Sequence, residues 1–139
     1  MGGSSSDSGH SAQTYYAFER GTTVYSGRPT NWTGLVGLMY PSDYAYTFAN
    51  GVDDTCYSNT YKCNHGKPSS SWLYKYGTSQ WTFSPYSSYE SLVFNVHSAG
   101  FVQNNNAYAS TVVRPVVYLK SDIKLDGTGT SSDPYVIIE

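Results

Sequence analysis

At 139 residues the chain is long enough for one domain that buries roughly two-thirds of the surface of its unfolded form. Charged residues make up 13% of it and the formal net charge is -2, so neither a global field nor a local basic run exists to hold nucleic acid. Its 15 Tyr pack their rings while keeping hydroxyls wet, which lets a weakly charged chain stay in solution, and the bias to Tyr, Ser, Thr, Asn and Gly points outside the cell.

The opening Met-Gly-Gly-Ser-Ser-Ser-Asp-Ser-Gly-His-Ser reads as part of a disordered leader or added linker over residues 1–13, leaving a single domain over 14–139. It is not a secretory signal, and no apolar run is long enough to span a bilayer. The expectation is an excised ectodomain whose targeting segment has been cut away. Thr14-Tyr-Tyr-Ala-Phe18 and Thr22-Thr-Val-Tyr25 are short β-prone runs, joined by Glu19-Arg-Gly21 as a hairpin turn. Leu35, Leu38 and Met39 have helical spacing, but Gly34, Gly37 and Pro41 interrupt it. A strand or turn through Gly34–Tyr40 is therefore expected, followed by a short helix from Pro41 with Ser42 or Asp43 near its N-terminus.

Asn50–Ser71 is polar and turn-rich, and reads as a long loop stapled by a disulfide between Cys56 and Cys63. Such a bridge closes a short loop, is worth roughly 2–3 kcal/mol in the chain-entropy model, and implies an oxidising compartment. Metal binding is the rival reading, yet the two thiolates have only His65 as a nearby imidazole, and Asp53 and Asp54 are hard ligands. Trp72-Leu-Tyr74 and Trp81-Thr-Phe83 follow as short strands or edge segments. Beyond them Leu92–His97, Gly100–Val102 and Val112–Leu119 are apolar and β-branched. The tail reads as a last hairpin, Ile123–Leu125 and Tyr135–Ile138 around a Gly-rich turn, with Pro134 where a missing N–H does least harm. Many short strands and few helical periods indicate a mostly β or α+β domain.

Trp81–Pro85 and the later apolar runs frame two polar insertions, Tyr86–Ser91 and Gln103–Thr111, built almost wholly of Tyr, Ser, Asn, Gln, Ala and Thr. A β frame carrying loops of that composition is a recognition surface in the making, because Tyr and Asn supply contact area and hydrogen bonds at low entropic cost. For Asn104–Asn106 the competing reading is a plain hairpin turn. Alternation along Val93–His97 places Phe94 and Val96 inward, and Asn95 and His97 outward. His97 has no visible partner for base catalysis. Arg114 either grips an anionic ligand group with its fork of donors, or pairs with Asp43 or Glu90, or caps loop carbonyls near the core. Trp32, Trp72 and Trp81 are core residues or, with Tyr74 and Tyr76, a stacking platform for sugar rings. Asp53, Asp54, Asp126 and Asp133 lack the spacing of a calcium loop and read as solvated turn acids.

Four stretches, Gly34–Tyr44, Trp81–Pro85, Val93–Val102 and Arg114–Leu119, resemble a domain that recurs in surface and prepilin-like proteins of Gram-positive bacteria. That domain is similar to the C-type-lectin-like fold of retroelement-diversified variable proteins and to formylglycine-generating-enzyme-like domains. The resemblance covers roughly Trp32–Glu139 and implies a compact α+β fold whose last strands carry a ligand surface. It puts Arg114 at the Arg of the terminal strand, with Val112-Val113 standing where the pattern has Gly. Displayed side chains would then be Tyr86, Ser87, Tyr89, Asn95, His97, Asn104, Asn105, Asn106, Tyr108 and Ser110. The Glu-Pro-Asn, Gln-Pro-Asp and Trp-Asn-Asp signatures of calcium-dependent lectins are absent, and the second half of the chain holds no Cys for formylglycine chemistry.

The expectation is a non-enzymatic extracellular or cell-surface module, without catalytic residues, metal or cofactor. It would bind a protein or glycan ligand through those loops, with no nucleic acid partner and no membrane contact by this segment. The alternative is the globular head of a prepilin-like subunit that packs against other pilus-like subunits.

Overall fold

Ser11 starts a helix where a strand was expected. The computed structural model describes residues 3, 10–47, 71, 73–74, 77–130 and 132–138. Within it α1 spans Ala12–Arg20, and the Ser11 hydroxyl accepts the Thr14 N–H at 3.2 Å. Ala12, Tyr15 and Glu19 form its buried stripe, spaced i, i+3, i+7. Gly21 closes it, donating its N–H to the Phe18 carbonyl. The helix begins inside the stretch read as leader, and Gly3 donates to the Thr23 carbonyl at 2.9 Å. Thr22–Tyr25, also expected as a strand, has no regular structure and leads into a turn closed by Arg28 on Tyr25.

β1 (Gly37–Leu38) and α2 (Pro41–Tyr46) follow as the local sequence predicts. Pro41 takes the first helical position, and the Asp43 carboxylate accepts the Tyr40 N–H at 2.8 Å. The two helices are bonded through Glu19, whose carboxylate accepts both the backbone N–H and the hydroxyl of Ser42. Glu19 is 2% exposed. The Cys56–Cys63 pair, His65, Asp53, Asp54, Trp72 and Tyr76 lie outside the described residues.

β2 (Gln80–Pro85), β3 (Leu92–Val96) and β4 (Val102–Asn106) form an antiparallel sheet with β3 in the middle. Partners across an antiparallel ladder share a face, so Phe94 lies with Asn104, and Val96 with Val102 and Gln80. Phe94, Val96 and Val102 pack with Ala12, Tyr15, Met39, Tyr44, Ala45 and Leu73, so that the helices cover this face. The buried Tyr44 hydroxyl reaches the Gly100 carbonyl at 2.8 Å and ties α2 to the β3–β4 turn.

β2 inverts the usual pattern. Gln80, Thr82 and Ser84 are buried, while Trp81, Phe83 and Pro85 are half-buried. The buried polar groups draw on nearby main chain: Gln80 Nε2 donates to the Leu73 carbonyl at 3.1 Å and the Thr82 hydroxyl to the Phe94 carbonyl at 2.8 Å. Asn95 corrects the expected alternation more sharply. It was expected outward, yet β3 is covered on both faces there and Asn95 is 0% exposed, with neither amide atom bonded.

The Asn run at the start of the second insertion is also not a loop. Asn104, Asn105 and Asn106 belong to β4 and pair with Phe94, Val93 and Leu92. The turn before them lies at Ser98–Gly100, where His97 N–H bonds the Phe101 carbonyl at 2.7 Å and Gly100 adopts φ 91. Ladder pairing with an apolar central strand overrides the turn preference of Asn.

From β4 the chain passes to the opposite edge of the sheet, where main-chain bonds seal β2: Trp81 N–H to the Val112 carbonyl at 3.0 Å and Phe83 N–H to the Met39 carbonyl at 2.9 Å. β5 (Pro115–Val116) then pairs antiparallel with β1, Gly37 opposite Val116. β6 (Lys124–Asp126) and β7 (Val136–Ile138) form the expected tail hairpin, exposed along both strands and without extensive packing on another described element. Short helices on small antiparallel sheets make this an α+β domain.

Candidate functional site: an aromatic cleft beside the sheet

The expected display residues divide among three places. Tyr86 is half-buried, packed on Phe94 with ring centroids 5.7 Å apart and stacked on Tyr89 at 6.1 Å, so it supports the β2–β3 loop from below. Tyr89 and Tyr108 are 62% and 84% exposed. They lie at one end of the sheet, because Leu92 pairs with Asn106 and Ala107 N–H bonds the Ser91 carbonyl. Ser87 is half-buried in the same loop. Asn104, Asn105 and Asn106 are half-buried in β4, and Asn95 is interior. His97 lies at the other end, stacked on Phe101 at 4.4 Å with its Nδ1 accepting the Ala99 N–H, an arrangement that holds a turn. Ser110 is exposed on the rim of a shallow hydroxyl-lined hollow that includes Ser79, Ser98 and Thr111. The loops therefore present two tyrosines and a few hydroxyls, not a continuous Asn/Tyr surface.

Arg114 takes the structural role foreseen for it as one alternative. Its guanidinium donates to the Leu73 carbonyl at 2.5 Å, which also receives Gln80. Asp43 is engaged elsewhere, accepting the Tyr118 hydroxyl.

A more developed concavity lies where the β1–β5 ribbon meets β2. A cleft of about 340 Å³ is floored by Gly37, Leu38 and Val116 and walled by Trp32, Tyr40, Phe83 and Tyr118. Phe83 reaches it because β2 turns its aromatics away from the helices. Trp32 and Tyr40 both meet Phe83 edge-on, at 5.2 Å and 5.4 Å with interplanar angles of 68° and 89°. Trp32 is 51% exposed yet held: a Cβ at Gly34 would fall 2.0 Å from the indole, so the six-membered ring lies directly over that glycine. Parts of two segments that carry the resemblance, Gly34–Tyr44 and Arg114–Leu119, thus meet as β1 and β5 at this cleft.

No acid, base or thiol lines the cleft. Behind its wall the Arg20 guanidinium sits 5.0 Å from the Tyr40 ring and 4.6 Å from Tyr16. Tyr118 donates its hydroxyl proton to Asp43 Oδ2 at 2.7 Å, the oxygen that also accepts Tyr40 N–H. Burial, and then the bond to Asp43, push the Tyr118 phenol far above its ordinary range, so it stays protonated. Burial raises Tyr40 as well. Tyr40, Phe83, Tyr118 and Gly34 were not among the residues picked from sequence. Among the described residues no three His, Cys, Asp or Glu cluster as metal ligands, and no helix is long and apolar enough to cross a membrane. Comparisons with protein-family models, curated proteins and solved structures found no match to this chain.

Proposed function

We propose that the chain is a non-enzymatic recognition module of an extracellular or cell-surface protein, with a C-type-lectin-like arrangement, whose ligand seat is the aromatic cleft. The observation that carries this is the Trp32 indole, half exposed but fixed over Gly34, at the mouth of a cleft lined by uncharged side chains. An exposed aromatic held rigid before binding loses little entropy on contact, the property that makes such residues anchors of recognition surfaces. The displayed Tyr89 and Tyr108 are a second, smaller contact area. The test is a binding screen of the folded chain against arrayed glycans and peptides, repeated with Trp32→Ala and with a Tyr89→Ala/Tyr108→Ala pair. Hits that weaken about tenfold or more with Trp32→Ala support the cleft; hits that respond only to the tyrosine pair overturn it.

A second reading, the head of a prepilin-like subunit, is favoured by the tail hairpin. Leu125, Val136, Ile137 and Ile138 are 44–57% exposed there, on a two-stranded ribbon of a kind that is marginal alone. Concentration-dependent self-association that is lost with Ile137→Lys would favour that reading over a free module.

A further inference from the structure

Resting on the reading of the cleft as a ligand seat, we propose that its ligand is an uncharged carbohydrate, with a pyranose ring stacked on Trp32 and its hydroxyls facing Tyr118 and Thr33. Four properties of the site select this class.

The first is charge. No ionised side chain lines the cleft, so sulfated, phosphorylated or carboxylated ligands find no counter-charge there. The second is the position of Arg20. An aromatic enclosure beside an acidic group also suits a quaternary ammonium ion, but here the cation–π position over Tyr40 is already taken by the Arg20 guanidinium at 5.0 Å. A second cation would meet that like charge.

The third is hydrogen-bond polarity. A proline-rich peptide docks on aromatic ridges while its carbonyls, acceptors only, take protons from the groove. Tyr118 has committed its proton to Asp43, so its oxygen offers the cleft an acceptor. The Trp32 indole N–H and the Thr33 hydroxyl can donate, so the lining mixes donors with an acceptor, and sugar hydroxyls, which donate as well as accept, match both. The fourth is shape. The cleft of about 340 Å³ is at the small end of ligand pockets, room for about one or two sugar rings, and the indole over Gly34 gives the apolar C–H face of a pyranose a flat platform. With no carboxylate in its lining to hold calcium, this contact would differ from chelation of vicinal hydroxyls by a metal.

The test is calorimetric and fluorescence titration of the full chain with uncharged gluco-, N-acetylglucosamino- and malto-oligosaccharides of two to four rings. A proline-rich decapeptide and choline are run as parallel arms. The expected result is saturable binding of at least one oligosaccharide, unchanged by EDTA, with indole fluorescence altered on binding. Trp32→Ala should weaken it about tenfold or more, Trp32→Phe should restore part of the loss, and Gly34→Ala should weaken it while keeping every cleft side chain. Circular dichroism of each variant separates loss of binding from loss of fold. If the peptide or choline binds in a Trp32-dependent way and no sugar does, the carbohydrate assignment is overturned while the cleft remains a ligand seat. A sugar whose affinity ignores Trp32→Ala overturns the assignment as well. No Trp32-dependent binding in any arm overturns both.

Discussion

Glu19 should add stability to this fold as the pH falls from about 7 toward 4.5. Its carboxyl is pushed up from 4.5 to about 7, chiefly by burial between the two helices and slightly by Asp43, against the lowering effect of the two Ser42 donors and of Arg20. The folded state therefore holds the proton more tightly than the unfolded chain does. That contribution is fully present below about pH 4.5 and is lost as the pH rises through about 7. A shift from 4.5 to about 7, at about 1.36 kcal/mol per pH unit, amounts to about 3 kcal/mol between pH 4 and pH 8. Set against a typical total of about 5–15 kcal/mol, this is a large share. Urea unfolding of the native chain and of Glu19→Gln at both pH values isolates the effect, because titrating groups that do not interact with Glu19 cancel in the difference. Gln keeps an acceptor for the Ser42 N–H but cannot ionise. The native chain should lose about 3 kcal/mol relative to Glu19→Gln on going from pH 4 to pH 8. Parallel stability curves for the two proteins would refute the buried-carboxyl argument.

Asn95→Leu should stabilise the domain by about 1–2 kcal/mol, read as a higher urea midpoint at unchanged m-value, since it removes two buried amide atoms that have no partner. A loss of stability instead would mean that the amide is needed. Gly127→Ala should melt the tail hairpin alone: Gly127 has φ 98, and an added Cβ would fall 2.5 Å from the Pro134 carbonyl oxygen. Amide exchange at Leu125 and Ile137 should lose protection while the global unfolding free energy changes by less than about 0.5 kcal/mol, because the hairpin packs little on the rest. A large global loss would show the hairpin to be integral.

Where local chemistry decides, the sequence was readable. Pro41 opening α2, the apolar run of β3 and the Gly-rich turn between β6 and β7 each follow from neighbours in the chain. Where a partner from elsewhere decides, it was not. Thr14–Phe18 has β-prone residues, and its helix becomes visible only once Glu19 is counted as part of the buried stripe. That burial depends on Ser42, which no local pattern reveals. Asn104–Asn106 favour a turn in isolation and become a strand because Leu92–Phe94 lie alongside. In β2 Trp81 read as either core or stacking platform, and the structure has the helices cover Gln80, Thr82 and Ser84 instead, whose polar atoms find main-chain partners only in part. The cleft escaped for the same reason: Trp32, Phe83 and Tyr118 come together only through the pairing of β1 with β5.

The seals along the outer edge of β2 have a further consequence. They run from main chain to main chain, Trp81 to Val112 and Phe83 to Met39, and use no side-chain atom. The frame thus accepts any side chain but proline at position 112, whose own N–H donates to the Ser79 carbonyl at 3.1 Å, and puts no side-chain demand on the exposed positions 110 and 113. Those sites are free to drift, or to be diversified by selection, while the strand order beneath them stays fixed.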